Sequence, residues 1–342
     1  MNWDYAGNLW AVDMLRQQML AGVTRHAYLF SGPPGVGRRT LALRFAQALN
    51  CPQAGVSAEP CLTCRTCRQI ADLQFPDLQL VEVSEGRSEI LIDQVRQVKQ
   101  FLSLSPYQSP AKIAIFRDYQ FAKSSAQNAL LKTLEETPGS AIILITVDAL
   151  ENLLPTTVSR CEVLRLRPMP IPTLAAELGT RLSLPEERAG LLASIAGGRF
   201  GTARQLAEDP DLLTRREAWL NIYPRLTSDT LLQRLQYVET LFPKNDRVGA
   251  RDKRRNLVGM FNTWISLERD VLLLASGSGA AVANPDVLET IQRLAQRTTP
   301  VVSAAAIRCL ERAAGRIDHY MNSRLVVENL MLELEEERPS RL

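Results

Sequence analysis

The sequence predicts an α/β fold with a parallel sheet in its first half, followed by an all-helical second half. Up to about Pro170, short apolar runs alternate with stretches of helical periodicity, the pattern of parallel strands joined by crossover helices. After Pro170 the strand-like runs stop and helical periodicity continues. A chain of 342 residues is long enough for two or three domains, each with its own core.

Composition and charge give few further constraints. The formal net charge of +3 is mildly basic, which permits a nucleic-acid surface without requiring one. Residues 1–23 combine polar and apolar side chains in an amphipathic pattern, so we predict neither a signal peptide nor a membrane span. We therefore expect a cytoplasmic protein without a membrane partner.

Four apolar runs predict strands, with helices between them. The predicted strands are 27–30, 78–83, 113–116 and 142–146. Helical spacing covers 41–49 and 125–136; in the second stretch Ala126, Leu130 and Leu134 share one face, and Thr137-Pro138-Gly139 ends the helix.

Proline residues mark the predicted domain boundaries. Pro168, Pro170 and Pro172 follow the last predicted strand, and a Pro-Asp pair at 210–211 introduces purely helical sequence. The predicted domains are residues 1–170, with a cysteine module at 51–67, then 171–209 and 210–342.

A glycine-rich loop lies between the first predicted strand and its following helix. It reads Ser31-Gly32-Pro33-Pro34-Gly35-Val36-Gly37-Arg38-Arg39-Thr40, in the strand–loop–helix context of a phosphate-binding loop. The pattern requires Lys at position 38 and Ser or Thr at position 39, but this chain has Arg at both. A guanidinium cannot replace a hydroxyl ligand of Mg²⁺. We predict a degenerate loop, formed by Gly32, Gly35, Gly37, Arg38, Arg39 and Thr40, at which ATP is absent or bound non-productively.

The second half of a nucleotide site should supply a metal-binding carboxylate after another strand. Here the strand ends in Arg117-Asp118, so a cation occupies that position. Arg greatly outnumbers Lys in this chain, which weakens Arg38 as evidence, but Arg39 and Arg117 replace a hydroxyl and a carboxylate. Three guanidinium groups would surround the metal position and repel one another at about 4–6 Å. Solvated arginines at a helix start are the alternative, which also implies no catalysis.

Four cysteines predict a metal site. Cys51, Cys61, Cys64 and Cys67 form a C-x9-C-x2-C-x2-C run, and two-residue spacings let thiolates converge on one tetrahedral ion. We predict a structural zinc, because four thiolates close the coordination sphere. An iron–sulfur cluster and unliganded thiols are the alternatives.

Ser159-Arg160-Cys161 follows the last predicted strand and precedes the boundary near 170. An arginine at the edge of an α/β nucleotide-binding core can reach the γ-phosphate bound by a neighbouring subunit. The alternative is a solvated surface charge.

Together these motifs resemble bacterial clamp-loader subunits of the AAA+ class. The resemblance rests on residues 32–40, the four cysteines, Ile92-Asp93-Gln94-Val95-Arg96, residues 128–136, residues 154–161 and Asn322-Ser323-Arg324-Leu325. It implies an AAA+ P-loop domain, a small helical lid domain and a C-terminal all-α collar domain.

The resemblance also implies a function. It indicates a stationary, non-hydrolysing member of a hetero-pentamer that opens a sliding clamp and places it on primed DNA during replication. The implied partners are the gamma/tau ATPase subunits and the delta subunit of DNA polymerase III. Arg160 would serve an adjacent ATPase subunit as an arginine finger, and the four cysteines would hold zinc.

Two other functions stay open at this point. One is an ATP-hydrolysing gamma/tau-like subunit, in which Arg38 substitutes for Lys and Asp118 holds the metal. The other is a zinc-stapled interaction protein outside replication.

Overall fold

The computed structural model describes residues 3–84, 87–137, 139–243, 249–318 and 321–337. The chain divides into two compact units. The first comprises Met1–Leu184 and Gly198–Thr202, and the second comprises Pro185–Gly197 and Ala203–Leu342. The predicted division into three domains, at 170 and 209, remains a prediction.

Five parallel strands form the sheet of the first unit. They are β1 (Ala27–Ser31), β2 (Leu78–Val81), β3 (Lys112–Phe116), β4 (Ala141–Val147) and β5 (Glu162–Arg165), in the order β2-β3-β4-β1-β5. In the centre, Phe30 of β1 pairs with Thr146 of β4 on one side and Leu164 of β5 on the other. The four predicted strands are confirmed, and β5, at one edge of the sheet, was not predicted.

Seven α-helices accompany these strands in the described part of the first unit. They are α1 (Leu9–Leu20), α2 (Arg38–Asn50), α3 (Arg65–Ala71), α4 (Ile92–Ser103), α5 (Ser124–Glu135), α6 (Pro155–Val158) and α7 (Ile171–Leu182). Alternate residues of each strand face opposite sides of the sheet. Tyr28 and Phe30 therefore join the core that contains Phe45 of α2, whereas Leu29 joins the core that contains Leu130 of α5. Helices on both faces explain why the central strands β1 and β4 are almost entirely apolar.

A buried carboxylate fixes the loop between α4 and β3. Asp77 is fully buried and accepts hydrogen bonds from the backbone N–H of Tyr107 at 2.7 Å, the N–H of Gln108 at 2.9 Å and the hydroxyl of Ser109 at 2.8 Å. Burial opposes ionisation of Asp77, but these hydrogen bonds and the positive charge of Lys112 hold its pKa below the usual value. A single aspartate thus anchors three consecutive residues.

The second unit is helical. Its helices are α8 (Glu186–Ile195), α9 (Phe200–Glu208), which begins in the first unit, α10 (Pro210–Leu226), α11 (Leu231–Leu241), α12 (Ala250–Ala275), α13 (Leu288–Ala295), α14 (Pro300–Asp318) and α15 (Ser323–Glu337). Phe261, Trp264, Leu310 and Val327 lie in its core. Every helix in the described segments is too short or too polar to cross a membrane.

The start of α15 falls on a segment that the sequence singled out. The side-chain oxygen of Asn322 accepts hydrogen bonds from the N–H groups of Arg324 at 3.1 Å and Leu325 at 3.3 Å. Asn322 therefore satisfies two backbone donors that a helix start leaves without an intrahelical partner.

Candidate functional site

The glycine-rich loop joins β1 to α2, as predicted. Gly35 and Gly37 have φ values of +84° and +103°, a region that side chains with a Cβ rarely adopt. α2 then begins at Arg38. The predicted strand–loop–helix arrangement is confirmed, and the backbone at these two positions explains the glycines.

Other segments of the first unit pack directly against this loop. The N–H of Gly201 donates a hydrogen bond of 2.8 Å to the carbonyl of Gly35, and a Cβ at Gly35 would lie 2.1 Å from the hydroxyl oxygen of Thr202. A Cβ at Gly37 would lie 2.8 Å from the hydroxyl of Tyr5, which donates to the carbonyl of Val36 at 3.3 Å. A Cβ at Gly32 would likewise lie 2.4 Å from the carbonyl oxygen of Leu166, so the chain's own residues occupy space beside all three loop glycines.

Arg38 points inward and is paired. Its side chain is 9% exposed, and Nη2 lies 3.0 Å from Oδ1 of Asp118. Burial lowers the pKa of Arg38 below its usual value, and the carboxylates of Asp118 and Asp148 oppose this shift. Asp118 has a left-handed backbone conformation, with φ of +51°, and its N–H donates to the hydroxyl of Thr146 at 2.9 Å. The turn after β3 thus fixes this carboxylate beside Arg38.

Arg117 extends the same ion-pair chain. Its Nη1 lies 2.8 Å from Oε2 of Glu82, and its Nε lies 3.8 Å from Oδ2 of Asp118. Positive and negative groups therefore alternate from Arg38 to Glu82. The expected repulsion between guanidinium groups is offset, because each of these two arginines has a carboxylate partner.

Arg39 and Thr40 lie on the exposed side of α2. Of the six residues predicted to form the loop site, only Arg38 has a buried, charged side chain. Mg²⁺ prefers oxygen ligands, and the carboxylate nearest to Arg38 is engaged in an ion pair with it. The carboxylate beside this loop is thus paired with a guanidinium group of the same chain.

The four predicted cysteines converge in the first unit. Their Sγ atoms all lie within 4.8 Å of one another, with Cys51 and Cys64 4.0 Å apart and Cys61 and Cys67 3.9 Å apart. A tetrahedral ion with Zn–S bonds of about 2.3 Å requires sulfur atoms about 3.8 Å apart. The four thiols therefore fit a single metal ion such as zinc.

Backbone N–H groups surround these sulfur atoms. Cys64 N–H points to Sγ of Cys61 at 3.3 Å, and Cys67 N–H points to Sγ of Cys64 at 3.4 Å. Burial opposes ionisation of Cys61, but the N–H groups of Cys64 and Thr63 lower its pKa to about 6. The side-chain amide of Gln47 in α2 also donates to the carbonyl of Cys67 at 2.7 Å. The cysteine module is thereby tied to α2.

Arg160 lies just after α6 and is about one third exposed at its side chain. Its Nε and Nη2 both donate to Oε1 of Glu135 at the end of α5, with the Nε contact at 2.9 Å, and its Nη1 donates to the carbonyl of Thr156 at 2.9 Å. Cys161 next to it is half-buried, and burial raises its pKa to about 12. The structure thus orients Arg160 through residues of its own unit.

Several of these residues were not predicted. Tyr5, Glu82, Gly201 and Thr202 reach the loop region from distant parts of the sequence, and no local pattern marks them. Glu135 lies in the segment 128–136 on which the resemblance rests, but the sequence did not predict that it pairs with Arg160.

Comparisons with known proteins identify relatives of this chain. The family model described as "DNA polymerase III, delta subunit" matches residues 8–170. A DNA polymerase III subunit delta' of Bacillus subtilis is 26% identical over 91% of this chain and 91% of its own length. A subunit delta' of Pseudomonas aeruginosa is 35% identical over 53% of this chain and 55% of its own length. The subunit tau of Escherichia coli is 30% identical over 60% of this chain, but only 32% of that protein is covered.

Solved structures give similar names at lower similarity. A DNA polymerase III gamma subunit-related protein of Thermotoga maritima aligns with 96% of this chain and 99% of its own, at 17% identity and a TM-score of 0.43. The DNA clamp loader delta protein of Bacillus subtilis aligns with 95% of this chain and 99% of its own, at 11% identity and a TM-score of 0.37. The chain is therefore similar to the DNA polymerase III delta subunit family over residues 8–170, and to a DNA polymerase III subunit delta' over most of its length at 26% identity.

Proposed function

We propose that the chain is the delta' subunit of a bacterial clamp loader, a stationary member that does not hydrolyse ATP and that lends Arg160 to a neighbouring ATPase subunit. It would assemble with gamma/tau and delta subunits into a hetero-pentamer in the cytoplasm. The assembly would open the sliding clamp and load it onto primed DNA. The observation that carries the proposal is the pairing of Arg38 with Asp118 beside the glycine-rich loop.

This pairing supports a degenerate P-loop. Asp118 is the carboxylate that a hydrolysing gamma/tau-like subunit would need for its metal, but it lies 3.0 Å from a guanidinium group of the same chain. Arg39 replaces the hydroxyl ligand, and Tyr5 and Thr202 crowd Gly37 and Gly35. A Mg²⁺-bound triphosphate would have to displace these contacts and gain no oxygen ligand at either cationic position.

The position of Arg160 supports a role in a neighbour's site. A guanidinium group that stabilises transition-state charge in trans must be accessible at the surface of its own subunit. Arg160 meets this requirement, and its contacts with Glu135 and Thr156 define its starting position. An arginine finger contributes about 10³–10⁵-fold to turnover, so loss of Arg160 should have a large effect on the neighbouring subunit.

The cysteine geometry supports a structural zinc. Four thiolates would hold the ion at Cys51, Cys61, Cys64 and Cys67, and no position would remain open for a substrate. Thiols this close together leave no room for the irons and sulfides of a cluster between them. The zinc would stabilise the module without taking part in ATP hydrolysis.

The test is ATP turnover by a loader reconstituted from this chain and its gamma/tau and delta partners. Arg160→Ala should leave assembly intact and lower DNA- and clamp-stimulated turnover at the dependent site by about 10³–10⁵-fold. Arg96→Ala, which removes another exposed arginine, is the matched control. Unchanged turnover with Arg160→Ala in a fully assembled loader would remove the proposed role.

ATP turnover by the purified chain alone distinguishes a non-hydrolysing subunit from a gamma/tau-like ATPase subunit. We expect the chain alone to hydrolyse no ATP. Turnover that is abolished by Arg38→Ala would instead establish an ATP-hydrolysing gamma/tau-like subunit. Failure to join the loader at all would favour an interaction protein outside replication.

A further inference from the structure

The edge strand β5 has an outer side that the described chain leaves open. Among the strands that the structure describes, β5 pairs with β1 alone. The N–H of Leu166 donates to the carbonyl of Ser31 at 2.7 Å, so the backbone groups of residue 166 point inward. Successive residues of a strand direct these groups to opposite sides, and the N–H and C=O groups of Val163, Arg165 and Arg167 therefore point outward.

One side chain already uses this outer edge. The side-chain oxygen of Asn8 accepts a hydrogen bond from the N–H of Arg167 at 2.9 Å, and its side-chain nitrogen donates to the carbonyl of Arg167 at 2.9 Å. A neighbouring strand would make the same pair of hydrogen bonds. Asn8 thus pairs with the outward backbone groups of Arg167 as a neighbouring strand would. In the described part of the chain this pairing does not continue to Arg165 and Val163.

A pocket of about 810 Å³ lies along the same edge. Apolar groups of Leu9, Trp10, Val163, Pro168 and Met169 contribute to its lining. Leu9 and Trp10 are 51% and 49% exposed, which is high for side chains of this size. An extended segment placed on β5 would cover this apolar surface.

The charged side chains that line this pocket are all positive. Arg165 and Arg167 line it, and no acidic residue does. Both arginines are exposed, and among the residues that the structure describes neither guanidinium has an ion-pair partner. Charged residues on a short edge strand also discourage self-pairing, but that role requires no apolar pocket beside them. The combination favours a negatively charged, partly apolar segment.

We propose that the outer edge of β5 is a docking site for an extended segment of a partner protein in which acidic and apolar residues alternate. The segment would add to the sheet as a sixth strand, continuing the ladder from Asn8 through Arg165 to Val163. Its apolar side chains would pack on Leu9 and Trp10. Its carboxylates would pair with Arg165 and Arg167, so backbone hydrogen bonds give affinity and side chains give specificity.

The test uses the full chain and a fluorescein-labelled synthetic peptide of alternating leucine and glutamate. Fluorescence anisotropy should show saturable binding, weakened about tenfold or more by the double variant Arg165→Glu, Arg167→Glu. Arg188→Glu, at an exposed arginine of the second unit, should bind as the unchanged chain does. A peptide with lysine in place of glutamate should bind at least about tenfold more weakly.

Two further measurements distinguish strand addition from charge attraction alone. Methylation of alternate peptide nitrogens removes the donors a strand needs, so the methylated peptide should lose binding. Amide hydrogen exchange at Val163 and Arg165 should slow when the unmethylated peptide binds. Undiminished binding of the methylated peptide, unchanged exchange at both residues, or no binding of the original peptide would each overturn the proposal.

Discussion

Arg160 and Glu135 form an ion pair that joins the end of α6 to the end of α5. Two guanidinium nitrogens of Arg160 donate to one carboxylate oxygen of Glu135, and the third donates to the carbonyl of Thr156. All three nitrogens are therefore engaged within this chain. A phosphate bound by another subunit would have to compete with Glu135 for Arg160.

The pair predicts a measurable effect of Glu135→Gln. An exposed ion pair contributes about 0–1 kcal/mol, so releasing Arg160 should raise the turnover of the reconstituted loader by up to about fivefold. Glu136→Gln, at the adjacent exposed residue, is the control and should leave turnover unchanged. Lower turnover with Glu135→Gln would mean that Glu135 positions Arg160 productively, contrary to this prediction.

The partner of Arg38 predicts a stability change. Asp118→Asn should leave a buried guanidinium group without its counter-ion and lower the free energy of unfolding by about 1–3 kcal/mol. This is less than the loss for a fully buried pair, because Asp118 is about one third exposed. Urea denaturation provides the measurement, with Asp13→Asn at an exposed site as control.

A second substitution tests the cause of that loss. Arg38→Met removes the buried charge and retains most of the side-chain volume. Combined with Asp118→Asn, it should recover most of the lost stability. Equal losses with and without Arg38 would show that Asp118 acts through another contact.

The lowered pKa of Asp77 predicts that the free energy of unfolding depends on pH. Because its pKa is lowered in the folded chain, its contribution is complete above the unfolded value of about 3.9 and is lost as the pH falls through the lower, folded value. Asp77→Asn should therefore lower the free energy of unfolding by about 1–3 kcal/mol at pH 7, where the carboxylate accepts its three hydrogen bonds. The difference between the two chains should shrink below about pH 4.

Denaturant unfolding across this pH range checks the prediction. Asp93→Asn is a suitable control, because Asp93 is exposed and pairs only with nearby Arg96 in the described chain. A deficit of Asp77→Asn that is the same at pH 7 and at the acid end of the range would contradict an ionisation-dependent role.

The cysteine module predicts one zinc per chain. Cys64→Ser should lose the metal and make the segment between Cys51 and Cys67 susceptible to limited proteolysis, because a structural ion contributes directly to the stability of its site. Elemental analysis and proteolysis are the measurements. Cys161→Ser changes a cysteine outside the cluster and should retain the metal. Equal zinc contents in the two variants would contradict the site.

Local patterns predicted the three central strands and the edge strand β2, and missed β5 at the other edge. β1, β3 and β4 lie in the buried middle of the sheet, so their residues are continuously apolar and visible in the sequence. β5 begins with Glu162 and ends with Arg165, and only Leu164 of the strand is fully buried. Its strand conformation depends on pairing with β1, which lies more than 130 residues earlier and which no local window includes.

The same distinction applies to the candidate sites. Cysteine spacing is local, and it predicted the four residues that converge in the structure. The neighbours of Arg38 and Arg117 are not local: the left-handed turn at Asp118 and the position of Glu82 determine how the charges pair. The role of the arginines as replacements stays a prediction, whereas the compensation of the charges of Arg38 and Arg117 could be seen only in three dimensions.

The hydrogen bond from Gln47 to the carbonyl of Cys67 lets the cysteine module help to hold α2 in place. α2 is held at its beginning by Arg38 and along its length by Gln47. In an enzyme that cycles with its nucleotide, the ligand itself helps to set the conformation of this helix. Here internal bonds do so, and under the proposed function they would let the subunit offer its neighbours the same shape before, during and after each round of their hydrolysis.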